Sequence, residues 1–375
     1  MNGKIRLLHL IAPTQFGGAE RVLLGLADQI HADRFQISIG SFVNARFRNN
    51  EFLDILKRRN IPGATFWLRR TFDFENIPRI ARFIRRREID ILHTHGYRSD
   101  IMGLLAARIT RRPVVSTLHG WVPIDSKLRL YERADKLALF FFDRIIAVSE
   151  EIRRTLRAAG VPGRKIIKLH NAIRVEENAD GNGGEGVRER LGEFQIGMIG
   201  RLSPEKNVDS FLRTASLLGK KHGHLKFVIA GDGPERERLE RLSAELGLSS
   251  KVTFMGFVKD PEPIYRALDL LVIASSTEGI PLVLLEAMKH SVPVISTRVG
   301  GVPEVINSGV DGILIDRADP RILGEAVETL LMDREKHAAI ARKAREKIAR
   351  SFNQTIWIRE IEKIYEQIMN QKEKR

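Results

Sequence analysis

Residues 275–286 read Ser-Ser-Thr-Glu-Gly-Ile-Pro-Leu-Val-Leu-Leu-Glu. The apolar run Leu270 to Ala274 before them has the length of a buried strand, and the polar residues after it end that strand. Pro281 is placed to open a helix: its fixed φ suits the first helical position, where its missing N–H is not needed. The order is strand, turn, helix. The first N–H groups of such a helix have no internal partner and, with the helix dipole, favour an anion. Glu278 on the turn and Glu286 on the helix flank that position.

A second stretch repeats the theme. Ile196 to Ile199 reads as a buried strand, followed by Gly200-Arg201-Leu202-Ser203-Pro204-Glu205-Lys206-Asn207. A helix is expected here with Ser203 as its N-cap and Pro204 at its first position. Arg201 offers a planar fork to phosphate oxygens, and Lys206 a compact charge. Either cation alone reads as a solvated surface group; together, beside the Glu-Gly-x-Pro turn, they point to phosphate binding.

Further from these turns the same alternation continues. Strands are expected at 5–10, 37–42, 64–68, 89–93, 114–118 and 144–148, then at 195–199, 226–230, 252–255, 270–274, 293–296 and 312–315, with helical patterns between. Alternation of this kind implies parallel sheets covered by helices on both faces. Two doubly wound α/β domains in tandem follow, 1–172 and 187–354. The glycine-rich 173–186 is expected to link them. Residues 355–375 are expected to form a terminal helix with Ile356, Ile358, Ile361, Ile364 and Tyr365 as its apolar residues, fraying from Asn370.

The chain resembles the retaining glycosyltransferases of family 4, also described as glycosyl transferases group 1, which have the GT-B fold. The resemblance rests on Gly17-Gly18-Ala19-Glu20, on Gly200-Arg201-Leu202 with Glu205-Lys206, on Gly231-Asp232-Gly233-Pro234, on Glu278 and Glu286, and on Gly300-Gly301-Val302-Pro303-Glu304. It covers nearly the whole chain, in order. It implies two Rossmann-like domains facing a central cleft, with the terminal helix packing back on the first. It also implies transfer of a sugar from a nucleotide-sugar donor, with retention of anomeric configuration, and a role for His119 beside the transferred sugar. Donor contacts are expected from Gly17, Gly18, Arg201, Lys206, Gly279, Ile280, Pro281, Leu282 and Glu286. His119, Glu278, Arg201 and Lys206 are expected to serve the chemistry. Gly231 to Pro234 is given a supporting role. Gly300 and Gly301 are expected to admit backbone close to the donor, and Glu304 is read as structural. His170-Asn171-Ala172-Ile173 resembles the family's hinge segment, with Ala172 where glycine is common.

Two histidine sites compete with plainer readings. Strand 89–93 ends at His93-Thr94-His95, whose spacing could suit a metal. Without a carboxylate or cysteine set nearby, no metal and no other cofactor is expected. His93 reads as a satisfied core histidine, and the role of His95 stays open.

Composition narrows the classes. The 375 residues are 43% hydrophobic and 29% charged, which is globular and long enough for two cores. Cysteine is absent, so thiol chemistry is excluded. No apolar run reaches the length of a membrane span, and the first residues read as a strand rather than a signal peptide, so a cytoplasmic protein is expected. Residues 1–172 hold 31 Lys plus Arg against 16 Asp plus Glu, whereas 173–375 hold 31 of each, so the whole net charge of +15 lies in the first half. That bias favours an anionic membrane surface and a lipid-linked saccharide acceptor, with the protein peripheral at the inner face of the cytoplasmic membrane. Specific nucleic-acid binding is disfavoured because aromatics do not interleave with the basic clusters. A nucleotide-sugar epimerase is the competing enzyme.

Overall fold

The computed structural model describes residues 3–13, 17–44, 50–120, 126–175 and 193–373. The glycine-rich stretch 176–186 and residues 187–192 lie outside them. The chain divides into two units: 1–172 with 354–375, and 173–353.

The first unit contains strands β1 (Ile5–Ile11), β2 (Phe35–Asn44), β3 (Gly63–Leu68), β4 (Ile91–His95), β5 (Val114–Leu118), β6 (Arg144–Ala147) and β7 (Ile166–Lys168). Helices α1 (Gly18–Gln29), α2 (Glu51–Arg58), α3 (Asn76–Arg86), α4 (Tyr97–Thr110), α5 (Ser126–Leu139) and α6 (Glu150–Ala158) connect them. All pairings are parallel, in the order β3-β2-β1-β4-β5-β6-β7. The strands are nearly continuous apolar runs because helices cover both faces. Leu8, Leu10, Leu92, Val114 and Ile145 form the core with Ile80 and Ile84 of α3 and Met102 of α4. The basic residues of α3 lie opposite that apolar stripe, so Arg85 and Arg86 stay exposed.

The second unit contains β8 (Phe194–Ile199), β9 (Leu225–Ala230), β10 (Val252–Gly256), β11 (Leu270–Ile273), β12 (Val294–Thr297) and β13 (Ile313–Ile315). Its helices are α7 (Val208–Lys221), α8 (Arg236–Glu245), α9 (Glu262–Ala267), α10 (Leu282–Lys289), α11 (Val302–Val305), α12 (Pro320–Met332) and α13 (Arg334–Ser351). The sheet is again parallel, in the order β10-β9-β8-β11-β12-β13. Both sheets reverse their winding beside their first strand, between β1 and β4 and between β8 and β11. Open α/β sheets collect ligands outside the carboxyl ends of strands at such a switch point.

Several local expectations change. Strand β7 escaped the sequence reading; it is three residues long and follows a 3₁₀ turn at Gly163–Lys165. Pro204–Lys206 is a separate 3₁₀ turn, and α7 begins only at Val208 because Asn207 takes the left-handed conformation, φ 52°. Pro281 is the N-cap of α10 rather than its first residue.

Helix α14 (Gln354–Glu373) belongs to the first unit and stays helical through Glu373, past Asn370 where fraying was expected; residues 374 and 375 lie outside the described residues. Trp357, Ile358, Ile361, Ile364, Tyr365 and Ile368 are buried, whereas Ile356, expected inside, is 49% exposed. Buried Glu362 accepts from the His31 N–H at 3.0 Å and pairs with the His31 ring and Arg34. These contacts tie α14 to the α1–β2 connection.

Truncating a fully buried isoleucine loses transfer energy and leaves a cavity, costing about 2–5 kcal/mol. Ile361→Ala is therefore expected to lower the melting temperature of the first unit markedly, and Ile356→Ala to leave it nearly unchanged. Equal melting temperatures for the two variants would contradict this packing.

Candidate active site

In the second unit the loops after β8 and β11 meet because those strands are neighbours. The Ser276 N–H donates to the Glu205 carbonyl at 2.8 Å, joining the 3₁₀ turn to the Ser-Ser-Thr-Glu loop. Across this junction Lys206 Nζ donates to Glu278 Oε1 at 2.5 Å. The Ser275 hydroxyl donates to the same oxygen at 2.6 Å. An open pocket of about 320 Å³ adjoins the pair, lined by Gly200, Arg201, Lys206, Ser275, Glu278 and Val283 among others. Val283 stands in the first turn of α10, so the start of that helix faces the pocket.

The charges are unequal partners. Lys206 and Glu278 neutralise one another, whereas Arg201 is exposed on the pocket wall with no carboxylate partner among the described residues. One cation is thus left over at the start of a helix, which suits an anion. Ile280 and Leu282 are buried, so what they offer a ligand is backbone. Glu286 lies outside the pocket lining; the Tyr265 hydroxyl donates to its Oε2 at 2.7 Å, and Tyr265 stacks on His290.

Two glycine motifs hold this geometry. Gly300 has φ +57°, and a Cβ there would sit 1.6 Å from the Glu278 carbonyl oxygen. The next N–H, of Gly301, donates to the Gly279 carbonyl at 2.7 Å. The backbone that approaches Gly300 is therefore that of the Glu278 loop. Gly231 plays the same part for the other loop: a Cβ on it would sit 1.7 Å from the Gly200 carbonyl oxygen. The Leu202 N–H donates to the Asp232 carbonyl at 3.0 Å, which fixes the position of Arg201.

In the first unit the switch point gathers histidines. His9 on β1 is directly opposite His93 on β4, and His95 lies two residues on, on the same sheet face. His9 Nδ1 and His95 Nε2 are 3.0 Å apart. His93 Nδ1 meets the Tyr365 hydroxyl at 2.7 Å, and its Nε2 meets Thr117 Oγ1 at 2.8 Å. Tyr365 also reaches His9 Nε2 at 3.3 Å. With Tyr365 donating along its shorter contact, His93 donates to Thr117, His9 donates to Tyr365, and His95 donates to His9. His95 Nδ1 is then a buried acceptor with no partner among the described residues.

His119 follows β5, stacks on His95 with ring centroids 5.9 Å apart, and has a buried Nε2 without a partner among the described residues. His93 is thus a satisfied core residue, whereas His95 and His119 each keep one nitrogen available. His9, His93 and His95 place one ligand atom each within 4.8 Å of one another, a separation that could admit a metal. Sequence spacing offered only the His-x-His pair; His9 joins it through the β1–β4 pairing. The internal hydrogen bonds already occupy every nitrogen of the group except His95 Nδ1.

Burial holds His9 down to about 3 and His119 down to about 4. His93 and His95 also lie well below the usual imidazole range, through burial first and neighbouring imidazoles second. All four rings are neutral at neutral pH. Gly17 and Gly18 open α1, where Glu20 Oε2 accepts the Gly17 N–H at 3.0 Å. Gly17 has φ −130°, an angle open to any residue.

Two family models match the chain in succession: Glycosyltransferase Family 4 over residues 16–177 and Glycosyl transferases group 1 over residues 185–347. The UDP-Gal:alpha-D-GlcNAc-diphosphoundecaprenol alpha-1,3-galactosyltransferase of Escherichia coli is 24% identical over 379 residues, 97% of each chain. The putative glycosyltransferase EpsD of Bacillus subtilis is 29% identical over 80% of this chain and 84% of its own length. Anabaena Alr3699/HepE, solved in complex with UDP and glucose, superposes with a TM-score of 0.81 at 23% identity over 97% of this chain and all of that one. This likeness fixes the fold as two doubly wound units of GT-B type.

Gly300→Ala is expected to displace Glu278 and lower turnover strongly, beyond the roughly 1–2 kcal/mol of left-handed backbone strain. Gly309→Ala is the control, since Gly309 has φ +79° but nothing within 4 Å of its Cβ position; it should lose stability and keep its turnover.

The histidine cluster sets a pH dependence. The unfolded chain binds protons on these rings as pH falls through 6.5, and the folded chain cannot until about 3 for His9 or 4 for His119. Stability is therefore complete above pH 6.5 and declines on acidification, by about 2 kcal/mol per buried imidazole at pH 5. Urea midpoints at pH 7 and pH 5 read this; a flat profile would contradict it.

Proposed function

Because the chain belongs to the group 1 glycosyl transferases of family 4, we propose that it transfers a sugar, with retention, from a UDP- or GDP-sugar to a saccharide or lipid-linked saccharide. The supporting observation is the Arg201, Lys206 and Glu278 arrangement at the second switch point. Departure of a nucleoside diphosphate puts charge on its β-phosphate. Arg201, uncompensated, meets that charge; Lys206, oriented by Glu278, supplies the second cation; the start of α10 adds its dipole. In this reading Glu278, partly buried beside Lys206, takes a hydroxyl of the donor sugar, and Glu286 holds the ribose. The backbone of Gly17, Gly18, Gly279, Ile280, Pro281 and Leu282 provides the remaining donor contacts.

Glu278 is the one carboxylate in the pocket lining, and its Oε1 already accepts from Lys206 and Ser275. A covalent intermediate needs a free carboxylate at the anomeric carbon. This supports same-face displacement, with the leaving phosphate taking the acceptor's proton. His119, neutral through burial, serves as a hydrogen-bonding partner for the transferred sugar rather than as a cation. A carboxylate already paired with Lys206 is a poor seat for a divalent ion, which supports a metal-independent reaction.

The relatives support an acceptor role in cell-surface polysaccharide assembly, since the E. coli relative is named for a diphosphoundecaprenol-linked acceptor. The basic first half fits work at the cytoplasmic, anionic face of a membrane. Among the described residues no helix is long and apolar enough to cross one.

Arg201→Ala and Lys206→Ala are each expected to lower turnover about a hundredfold or more, as for loss of a key charge donor. Activity is expected to survive EDTA. Near-normal turnover in both variants, or loss on chelation with rescue by manganese, would overturn this reading.

A further inference from the structure

Helix α5 carries a second apolar stripe on its outer side. Leu130, Ala134, Leu137 and, just past its end, Phe141 recur at helical spacing, and all four are exposed. The helix buries Asp135 and Leu139 on its inner side, so the outer stripe is not part of the core. Its neighbour α4 adds Leu105 and Ile109, one turn apart. The five large apolar side chains, Leu105, Ile109, Leu130, Leu137 and Phe141, are between 41% and 66% exposed. Such a patch on a soluble face marks an interaction surface.

The two helices are in contact, and cations border their apolar residues. Arg108 Nη2 donates to the Phe141 carbonyl at 2.6 Å, and its guanidinium lies over the Phe141 ring at 6.0 Å. Arg85 Nη2 reaches the Ile109 carbonyl at 3.4 Å. Arg111, Arg129 and Arg133 are exposed nearby. None of these five arginines pairs with a carboxylate among the described residues. Glu132 is spent on Lys136 within the same helix.

This combination selects the partner. A second copy of the chain would bring five arginines against five. Nucleic acid would need aromatic faces for stacking, and four of the five apolar groups are aliphatic. An anionic bilayer accepts both features: aliphatic groups sink below the headgroups while arginines stay among the phosphates.

We propose that this outer face of α4 and α5 docks the protein on an anionic lipid surface. The inference rests on the membrane-side acceptor reading above and assigns it a surface. Helix α5 follows the β5 loop that carries His119, so docking along the stripe brings lipid toward the carboxyl ends of the first sheet.

The test is co-flotation of the purified chain with phosphatidylcholine vesicles and with vesicles that also contain phosphatidylglycerol. The native chain is expected to float only with the latter, and less at high salt. The triple variant Leu130→Ser, Leu137→Ser, Phe141→Ser should lose binding on the order of tenfold or more. The double variant Arg129→Glu, Arg133→Glu should lose it similarly. These positions are exposed, so both variants should keep the native melting temperature and bind nucleoside diphosphate as the native chain does. No flotation of the native chain, equal flotation of all variants, or tighter binding to nucleic acid than to vesicles would overturn the proposal. Loss of nucleoside-diphosphate binding by the native chain itself, with flotation intact, would instead sink the sugar-transfer reading and leave the docking surface standing.

Discussion

The contact between Lys206 and Glu278 closes the second switch point, and the rest of the candidate site depends on it. The two residues are 72 positions apart and come together because β8 and β11 are neighbours in the sheet. Each loop is then fixed from behind. The Gly231 turn presses on the Gly200 carbonyl, and the Gly300 turn presses on that of Glu278. An ion pair this sheltered is costly to break on one side, because the remaining charge is left without its partner. The arrangement leaves Arg201 as the cation with charge to spend, which is the physical basis for reading the pocket as an anion site.

The two switch points differ in chemistry although they share topology. The second is a charged turn in which Lys206 pairs with Glu278 and Arg201 is left over. The first is a stack of neutral imidazoles sealed by Tyr365 of the terminal helix. The cluster therefore depends on the last residues of the chain being in place. Its hydrogen bonds run from His95 through His9, Tyr365 and His93 to Thr117, and leave His95 Nδ1 without a partner among the described residues. Burial keeps the stack uncharged, so it supplies directional hydrogen bonding without a charge.

The parallel sheets were legible because near-continuous runs such as Leu270 to Ala274 alternate with helical periods, and a period of that kind is a local property. Strand β7 was not, because three residues carry too little pattern. The start of α7 was misplaced because Pro204 is a good helix opener and the left-handed turn at Asn207 depends on its surroundings. Ile356 lies outside, and Trp357 inside, because a single helical period does not say which side faces the core. The site residues were singled out as types at turns, but their pairing was not readable. Nothing local joins Lys206 to Glu278, Tyr265 to Glu286, or His9 to His95; sheet order does. The same limit applies to Gly300, whose need for a missing side chain comes from a carbonyl 22 residues away.

The most direct test is a crystal structure with a nucleoside diphosphate bound. The β-phosphate is predicted to lie within hydrogen-bonding distance, about 3 Å, of the Arg201 guanidinium and Lys206 Nζ, at the start of α10. A diphosphate seated away from these groups, with the Lys206–Glu278 contact undisturbed and Arg201 still facing solvent, would contradict the account.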